Sequence, residues 1–159
     1  MILPILFMVT VAAANLLSIS LTVPVGFGLV APGGVYLAGV LFTLRDLIHE
    51  RSGPLTVLYT LYGGLILSGF MGSGLVSTAS IAAFAFAELI DTGVYVLTRR
   101  YGLVAAVTAS NLVALAADSV VFLFLAFGSL RMLPGQIVGK LWMTTLAVLL
   151  LWAWRRWVR

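Results

Sequence analysis

Long apolar stretches, interrupted by short polar segments and by glycine or proline, dominate the chain. A helix needs about 20 apolar residues to cross a hydrocarbon core of about 30 Å. The apolar runs and their breaks predict six helices, at about 3–21, 34–50, 54–70, 75–97, 103–127 and 134–154. We therefore expect an all-α integral membrane protein in which residues 1–159 form a single six-transmembrane-helix bundle.

The composition agrees with a membrane protein and excludes several kinds of site. The chain is 62% hydrophobic and only 9% charged, whereas a soluble domain carries about 25% charged residues. It has no cysteine, so disulfides, thiolate nucleophiles and thiolate metal sites are excluded. The net charge of +4 comes from arginines at helix ends, which favours contact with the lipid bilayer over nucleic-acid binding.

The basic residues predict an orientation. If six helices cross the membrane, the loops on one side contain only Arg131, and the other side holds both termini and six arginines: Arg51, Arg99, Arg100, Arg155, Arg156 and Arg159. Cytoplasmic loops carry an excess of lysine and arginine. We therefore expect a multi-pass protein of the cell inner membrane with cytoplasmic N- and C-termini.

All five acidic residues of the chain lie within or at the ends of predicted spans: Asp46, Glu50, Glu88, Asp91 and Asp118. Each such residue at a helix centre costs about 2.5–3.5 kcal/mol, so acids in spans usually mark a pathway or a ligand site. The structural alternative is an interhelical hydrogen bond that stabilises the bundle.

The second predicted helix ends in a charged turn. Arg45 and His49 are four residues apart, as are Asp46 and Glu50, so each pair shares a helix face. His49 is the only histidine and position 53 is a glycine, so a zinc-protease site is excluded. Glu50 fits a charge in the headgroup layer, whereas Arg45 and Asp46 lie deeper and are candidates for function.

The fourth predicted helix carries the strongest binding pattern. Glu88, Asp91 and Tyr95 form one stripe of two carboxylates and a phenol, and Phe84 continues it one turn earlier. A cation or an N–H donor would relieve the repulsion between the carboxylates. The alternative is an ion pair with an arginine or with Lys140.

The fifth and sixth helices add a second polar group. Asn111 and Asp118 lie two turns apart on one face, and Gln136 and Lys140 are four residues apart. Lys140 is expected to be the counter-ion of Asp118 or Glu88, and its surroundings do not match a phosphate-binding loop. No cofactor or metal is expected. Carboxylates, amides and aromatic rings together suit a purine-like base, but equally an organic cation or a proton relay.

Several motifs resemble the vitamin-uptake-transporter-like proteins that are assigned as queuosine precursor transporters. The matching segments, in order, are Gly34–Gly39, Arg45–Glu50, Ala87–Asp91 with Val94-Tyr95, Ser110–Ser119, Ala126–Gly128 and Gly135–Lys140. The resemblance implies an inner-membrane importer of cyano- and aminomethyl-deazaguanine bases. It also implies a fold similar to the substrate-binding subunits of energy-coupling-factor (ECF) transporters.

By this resemblance the substrate site is lined by Asp46, Glu88, Asp91, Asn111, Asp118, Gln136 and Lys140. We predict that Glu88 and Asp91 hold the N–H edge of the base, while Asn111 and Gln136 bind its polar rim. Phe84 or Tyr95 would stack on the ring. Asp118 would pair with Lys140 and is a candidate carrier of a coupling proton. Arg45 and Asn15 complete the predicted set.

The same residues are also compatible with other functions. A proton-linked exporter or channel for organic cations would use the same acids, and an accessory subunit would need no substrate. A membrane-embedded hydrolase is disfavoured because the chain lacks a plausible nucleophile and base, so we expect no enzyme activity. The chain has no ATPase motif, so ATP drive would require an energising partner subunit. A homodimer also stays open.

Overall fold

The computed structural model describes residues 2–71 and 74–157, and this part of the chain forms six α-helices and a β-hairpin. The helices are α1 (Ile2–Ser20), α2 (Val35–Ser52), α3 (Pro54–Phe70), α4 (Gly74–Thr98), α5 (Leu103–Phe127) and α6 (Leu133–Trp157). The strands are β1 (Thr22–Gly26) and β2 (Leu29–Pro32), and a 3₁₀ turn, Arg99–Tyr101, joins α4 to α5. The observed helix ends differ from the predicted ones by only a few residues.

Three stretches in the described residues are long and apolar enough to cross a membrane: Ile2–Ser20, Gly74–Tyr101 and Thr108–Phe127. In α3 the apolar stretch is shorter, Leu55–Phe70, and α2 ends in a cluster of charged residues. Large apolar side chains such as Phe70 and Leu89 are exposed, as expected for surfaces that face lipid. The protein is thus a helical, multi-pass membrane protein, and the crossing of all six helices stays a prediction.

The β-hairpin corrects the all-α prediction, in which residues 22–33 belong to no helix. The two strands pair antiparallel, with an irregularity between Pro24 and Gly26. The turn that joins them is Gly26-Phe27-Gly28, in which all three residues have positive φ, and flanking glycines adopt this conformation without strain. The hydroxyl of Tyr36 donates to the Pro24 carbonyl oxygen, which ties the hairpin to the start of α2.

The helices form two packing units, each with its own apolar cluster. The four-helix unit consists of α1, α2, α3 and α6 together with the hairpin, and Phe7, Ile48 and Leu61 belong to the core that joins its first three helices. The α4–α5 unit is an antiparallel pair whose cluster includes Ala83 and Leu123. These two helices pack more extensively on each other than on any other element.

Glycines allow close backbone contact inside the four-helix unit. A Cβ on Gly64 of α3 would lie 2.9 Å from the Val11 Cβ of α1. A Cβ on Gly139 of α6 would lie 2.7 Å from a methyl group of Val35. Gly135 of α6 likewise lies against the backbone of β2. Small residues permit such contact between helices in lipid.

Candidate functional site

A cavity lies between the two units and is lined by residues from all six helices. Its volume is about 90 Å³, counted as the room for the centres of water-sized spheres. One water needs about 10–15 Å³ by this measure, so the cavity has room for roughly six to nine waters. Polar lining residues include Asn15, Asp118, Gln136 and Lys140. We call this space the inner cavity.

One side of the inner cavity is formed by an ion pair between α5 and α6. The Lys140 ammonium donates to Oδ2 of Asp118 and to the hydroxyl of Ser119, the latter at 2.9 Å. The Lys140 side chain is 1% exposed and that of Asp118 is 17% exposed. The predicted pairing of these two residues is therefore confirmed, whereas the proton-carrying role of Asp118 stays a prediction.

Gln136 contributes the one buried side-chain oxygen of the inner cavity that accepts no hydrogen bond from the described residues. The residue is 3% exposed, and its Oε1 atom has no donor. A buried polar atom without a partner is costly and unusual in a native structure. This carbonyl oxygen is therefore available to accept an N–H bond from a molecule in the cavity.

Asn15, the other buried amide of the cavity, is in the opposite situation. Its Nδ2 donates to the Ser68 hydroxyl at 3.1 Å, and its Oδ1 accepts from the Ser80 hydroxyl at 2.6 Å. Both ends of the amide are thus occupied, and they join α1 to α3 and to α4. Asn15 lies where the predicted site is, but its bonds serve to hold the helices together.

Aromatic side chains form much of the remaining wall. Phe7, Phe42, Phe84 and Phe122 line the inner cavity from four different helices. Such rings offer apolar faces on which a flat ligand can stack. Phe84, a residue of the predicted site, lies one turn before Glu88 and lines this cavity.

A second, larger cavity of about 580 Å³, by the same measure, lies between the units at the end of the bundle where α3 begins. We call it the outer cavity. Its lining includes Glu88, Asp91, Tyr95 and Asn111. The Oδ1 atom of Asp91 is buried and has no hydrogen-bond partner in the described residues. The acidic stripe of α4 therefore faces this cavity.

An ion pair lies where the two cavities meet. Nη1 of Arg45 donates to Oε1 of Glu88, and Arg45 and Phe84 line both cavities. The Arg45 guanidinium carbon also lies 5.7 Å from the centre of the Phe42 ring. Glu88 thus adopts the ion pair that the sequence left open as an alternative to substrate binding.

The structure separates two groups that the sequence treated as one site. Gln136, Asp118 and Lys140 line the inner cavity, whereas Asp91 and Asn111 line the outer one. Asn111 is exposed, so Asn111 and Gln136 do not face a common ligand here. The side chain of Asp46, also predicted to line the site, lies outside the described part of the structure.

Sequence reasoning missed some residues that line the inner cavity, Ser80, Phe42 and Phe122 among them. Helical spacing could have found two of them. Ser80 lies four residues before Phe84, and Phe122 lies four residues after Asp118, so each extends a stripe that was already identified.

Comparison with known proteins identifies a family. Residues 70–155, more than half of the chain, match the family model described as "Putative vitamin uptake transporter". No curated protein and no solved structure matches the chain. The matched segment contains α4, α5 and most of α6, and so includes Gln136, Asp118 and Lys140 but not Arg45 or Asn15.

Proposed function

Since the chain belongs to the vitamin uptake transporter family, we propose that it is an importer of queuosine precursors, the cyano- and aminomethyl-deazaguanine bases. Membership of this family indicates transport of a vitamin-like small molecule. The choice of deazaguanine rests on the motifs in α2, α4, α5 and α6 that resemble the queuosine precursor transporters. We further propose that the bound base occupies the inner cavity.

The observation that carries this proposal is the unpaired Oε1 atom of Gln136. The pyrimidinone edge of a deazaguanine presents N–H donors beside a carbonyl acceptor. Gln136 would accept from an N–H group of that edge. Lys140 has three donors, of which two bind Asp118 and Ser119, so one remains to bind the carbonyl oxygen of the base. The N–H donor and the carbonyl acceptor of the base would then be recognised together.

The rest of the cavity suits a flat bicyclic ring. The space for roughly six to nine waters is enough for a small ring system, and the phenylalanines would contact its faces. Phe84 and Phe42 approach from α4 and α2, on either side of the gap between the units. We therefore assign stacking to this pair, in place of the predicted Tyr95, which lines the outer cavity.

Glu88, Asp91 and Asn111 receive a different role in this proposal. They line the outer cavity, which lies between the inner cavity and the α2–α3 connection. With the termini in the cytoplasm, this end of the bundle is the cytoplasmic end. The acidic stripe would then form the passage through which the base leaves after its release from the inner cavity.

A thermal-shift screen of the purified protein tests the proposal. The ligands are the cyano- and aminomethyl-deazaguanines, with guanine, thiamine and riboflavin as comparisons. A ligand at 100 times its dissociation constant stabilises the folded protein by about 2.7 kcal/mol. We expect a raised melting temperature with the deazaguanines at the lowest concentrations. Stabilisation by a vitamin and not by any deazaguanine would overturn the substrate assignment.

Uptake in cells provides the functional test. In cells that cannot synthesise the precursor, expression of this chain should allow added base to restore queuosine in transfer RNA. The Lys140→Met variant removes the proposed carbonyl donor and should lose this uptake. Restoration that is equal with and without the transporter would count against import.

A second candidate, transport of organic cations, is favoured by Asp91. Its buried, unpartnered oxygen lies in the same cavity as Glu88 and Tyr95, and a cation would satisfy it. The two deazaguanines separate the candidates, because the aminomethyl base is cationic and the cyano base is neutral. Binding of only the aminomethyl base, lost in Asp91→Asn, would favour the cation transporter.

A further inference from the structure

The two packing units differ in how closely they pack internally and against each other, although Ile81 and Phe84 of α4 also pack against the core of the four-helix unit. Inside the four-helix unit, glycines place backbones in direct contact, as Gly64 does between α3 and α1. Inside the α4–α5 unit, buried alanines and Leu123 form a separate apolar cluster. Each unit is therefore held together by close backbone contact or by buried apolar side chains.

Polar side chains link the two units at several places along their length. Ser80 of α4 donates to Asn15 of α1, Arg45 of α2 donates to Glu88 of α4, and Lys140 of α6 donates to Asp118 of α5. Such bonds can exchange for bonds to water or to a ligand, whereas interlocked backbones cannot. The surface between the units is thus the place where the bundle can open.

Both cavities lie on this surface, and the residues that line both of them separate one cavity from the other. Along α4, Ser80 lines the inner cavity, Phe84 lines both cavities, and Asp91 lines the outer cavity. Along α2, Phe42 lines the inner cavity and Arg45 lines both. The Arg45–Glu88 ion pair and Phe84 therefore stand across the route between the cavities.

We propose that the Arg45–Glu88 ion pair is the gate between the cavities, and that it opens when the α4–α5 unit rocks against the four-helix unit. The gating role rests on the proposed transport function. The Glu88 side chain is 41% exposed, and ion pairs in contact with water contribute little net stability. The pair can therefore break and re-form more readily than the Lys140–Asp118 pair, whose lysine is nearly inaccessible.

Cysteine labelling tests the gate without any substrate. The chain has no cysteine, so Ala38→Cys introduces a single thiol in the wall of the inner cavity. The probe is methyl methanethiosulfonate, a small neutral thiol reagent that the charges of the outer cavity do not attract, applied to the protein purified in detergent. We expect slow labelling of this variant, and labelling at least tenfold faster when Glu88→Gln is added.

Asp91→Asn is the matched control. Asp91 lies one turn after Glu88, and its Oδ1 has no partner among the described residues, so Asp91→Asn removes a nearby charge and leaves the Arg45–Glu88 pair in place. We expect the same labelling rate as in the parent Ala38→Cys protein. The charge exchange Arg45→Glu with Glu88→Arg should return labelling towards the slow rate. Unchanged labelling in Glu88→Gln, or equal acceleration in Asp91→Asn, would overturn the gate.

A crosslink tests the rocking motion and separates it from substrate identity. The double variant Arg45→Cys with Glu88→Cys, which keeps Ala38, should lose its uptake when its two thiols are joined by a short bifunctional thiol reagent. Uptake that persists in the crosslinked protein would overturn the rocking motion. If labelling behaves as expected but no deazaguanine binds, the gate stands and the substrate assignment fails.

Discussion

Gln136→Met should have opposite effects on stability and on binding. Methionine keeps the length and shape of the side chain but removes the unpaired Oε1 atom. A buried polar group without a partner costs about 1–3 kcal/mol, so its removal should raise the free energy of unfolding of the ligand-free protein by about 1 kcal/mol. In the complex, the same change leaves an N–H group of the base unpaired. That loss of about 1–3 kcal/mol corresponds to roughly 5- to 150-fold weaker binding.

Asn15→Leu is the control for this prediction, because Asn15 is a buried amide in the wall of the same cavity. Both ends of its amide are bonded, at 3.1 and 2.6 Å, so the substitution should lower the free energy of unfolding by about 1–3 kcal/mol. Thermal unfolding without ligand and a titration with the cyano-deazaguanine measure the two effects. If Gln136→Met destabilises the protein as much as Asn15→Leu and leaves the dissociation constant unchanged, its oxygen is not the ligand acceptor.

Further substitutions test the packing around the site. Lys140→Met leaves the carboxylate of Asp118 without its cation, and should lower the free energy of unfolding by about 3 kcal/mol. Addition of Asp118→Asn should recover part of this loss in thermal unfolding. Tyr36→Phe removes the hydrogen bond to the hairpin and should cost about 1 kcal/mol, with faster proteolysis between the strands. Gly64→Ala places a Cβ 2.9 Å from α1 and should destabilise by about 1–3 kcal/mol. Gly93→Ala has open space around it and should stabilise by about 0.5–1 kcal/mol, as seen in melting temperatures.

Two of these results would contradict the packing described above. Equal effects of Gly64→Ala and Gly93→Ala would mean that α1 and α3 are not in close backbone contact. A Lys140→Met protein as stable as the parent would mean that Asp118 reaches water without its partner.

The positions of the helices could be predicted because each apolar stretch ends at a glycine, a proline or an arginine. Pairing of Asp118 with Lys140 could also be predicted, because an acid deep in an apolar helix needs a cation and the chain has a single lysine. The β-hairpin was missed because Pro24 and Gly26 were interpreted only as helix breakers. Valines on both sides of Gly26-Phe27-Gly28 were the available signal for a hairpin.

The division of the site into two cavities could not be predicted from helical spacing. Spacing tells which side chains share a face of one helix, but not how far along the bundle a neighbouring helix places its own polar residues. Asn111 and Asp118 illustrate this, since two turns along one face of α5 take them to different cavities. The ion pair of Glu88 with Arg45 likewise depends on the lateral packing of α2 against α4.

Because both packing units border the inner cavity, a molecule bound there would contact both units and hold them together. A base held by Gln136 and Lys140 on one side and by Phe84 on the other would strengthen the contact that has to loosen before release. Ligands of the highest affinity should therefore move most slowly, and a sufficiently tight analogue would stall the cycle. Compounds that fill this space and add contacts to both sides are, for that reason, better starting points for inhibitors than for cargo.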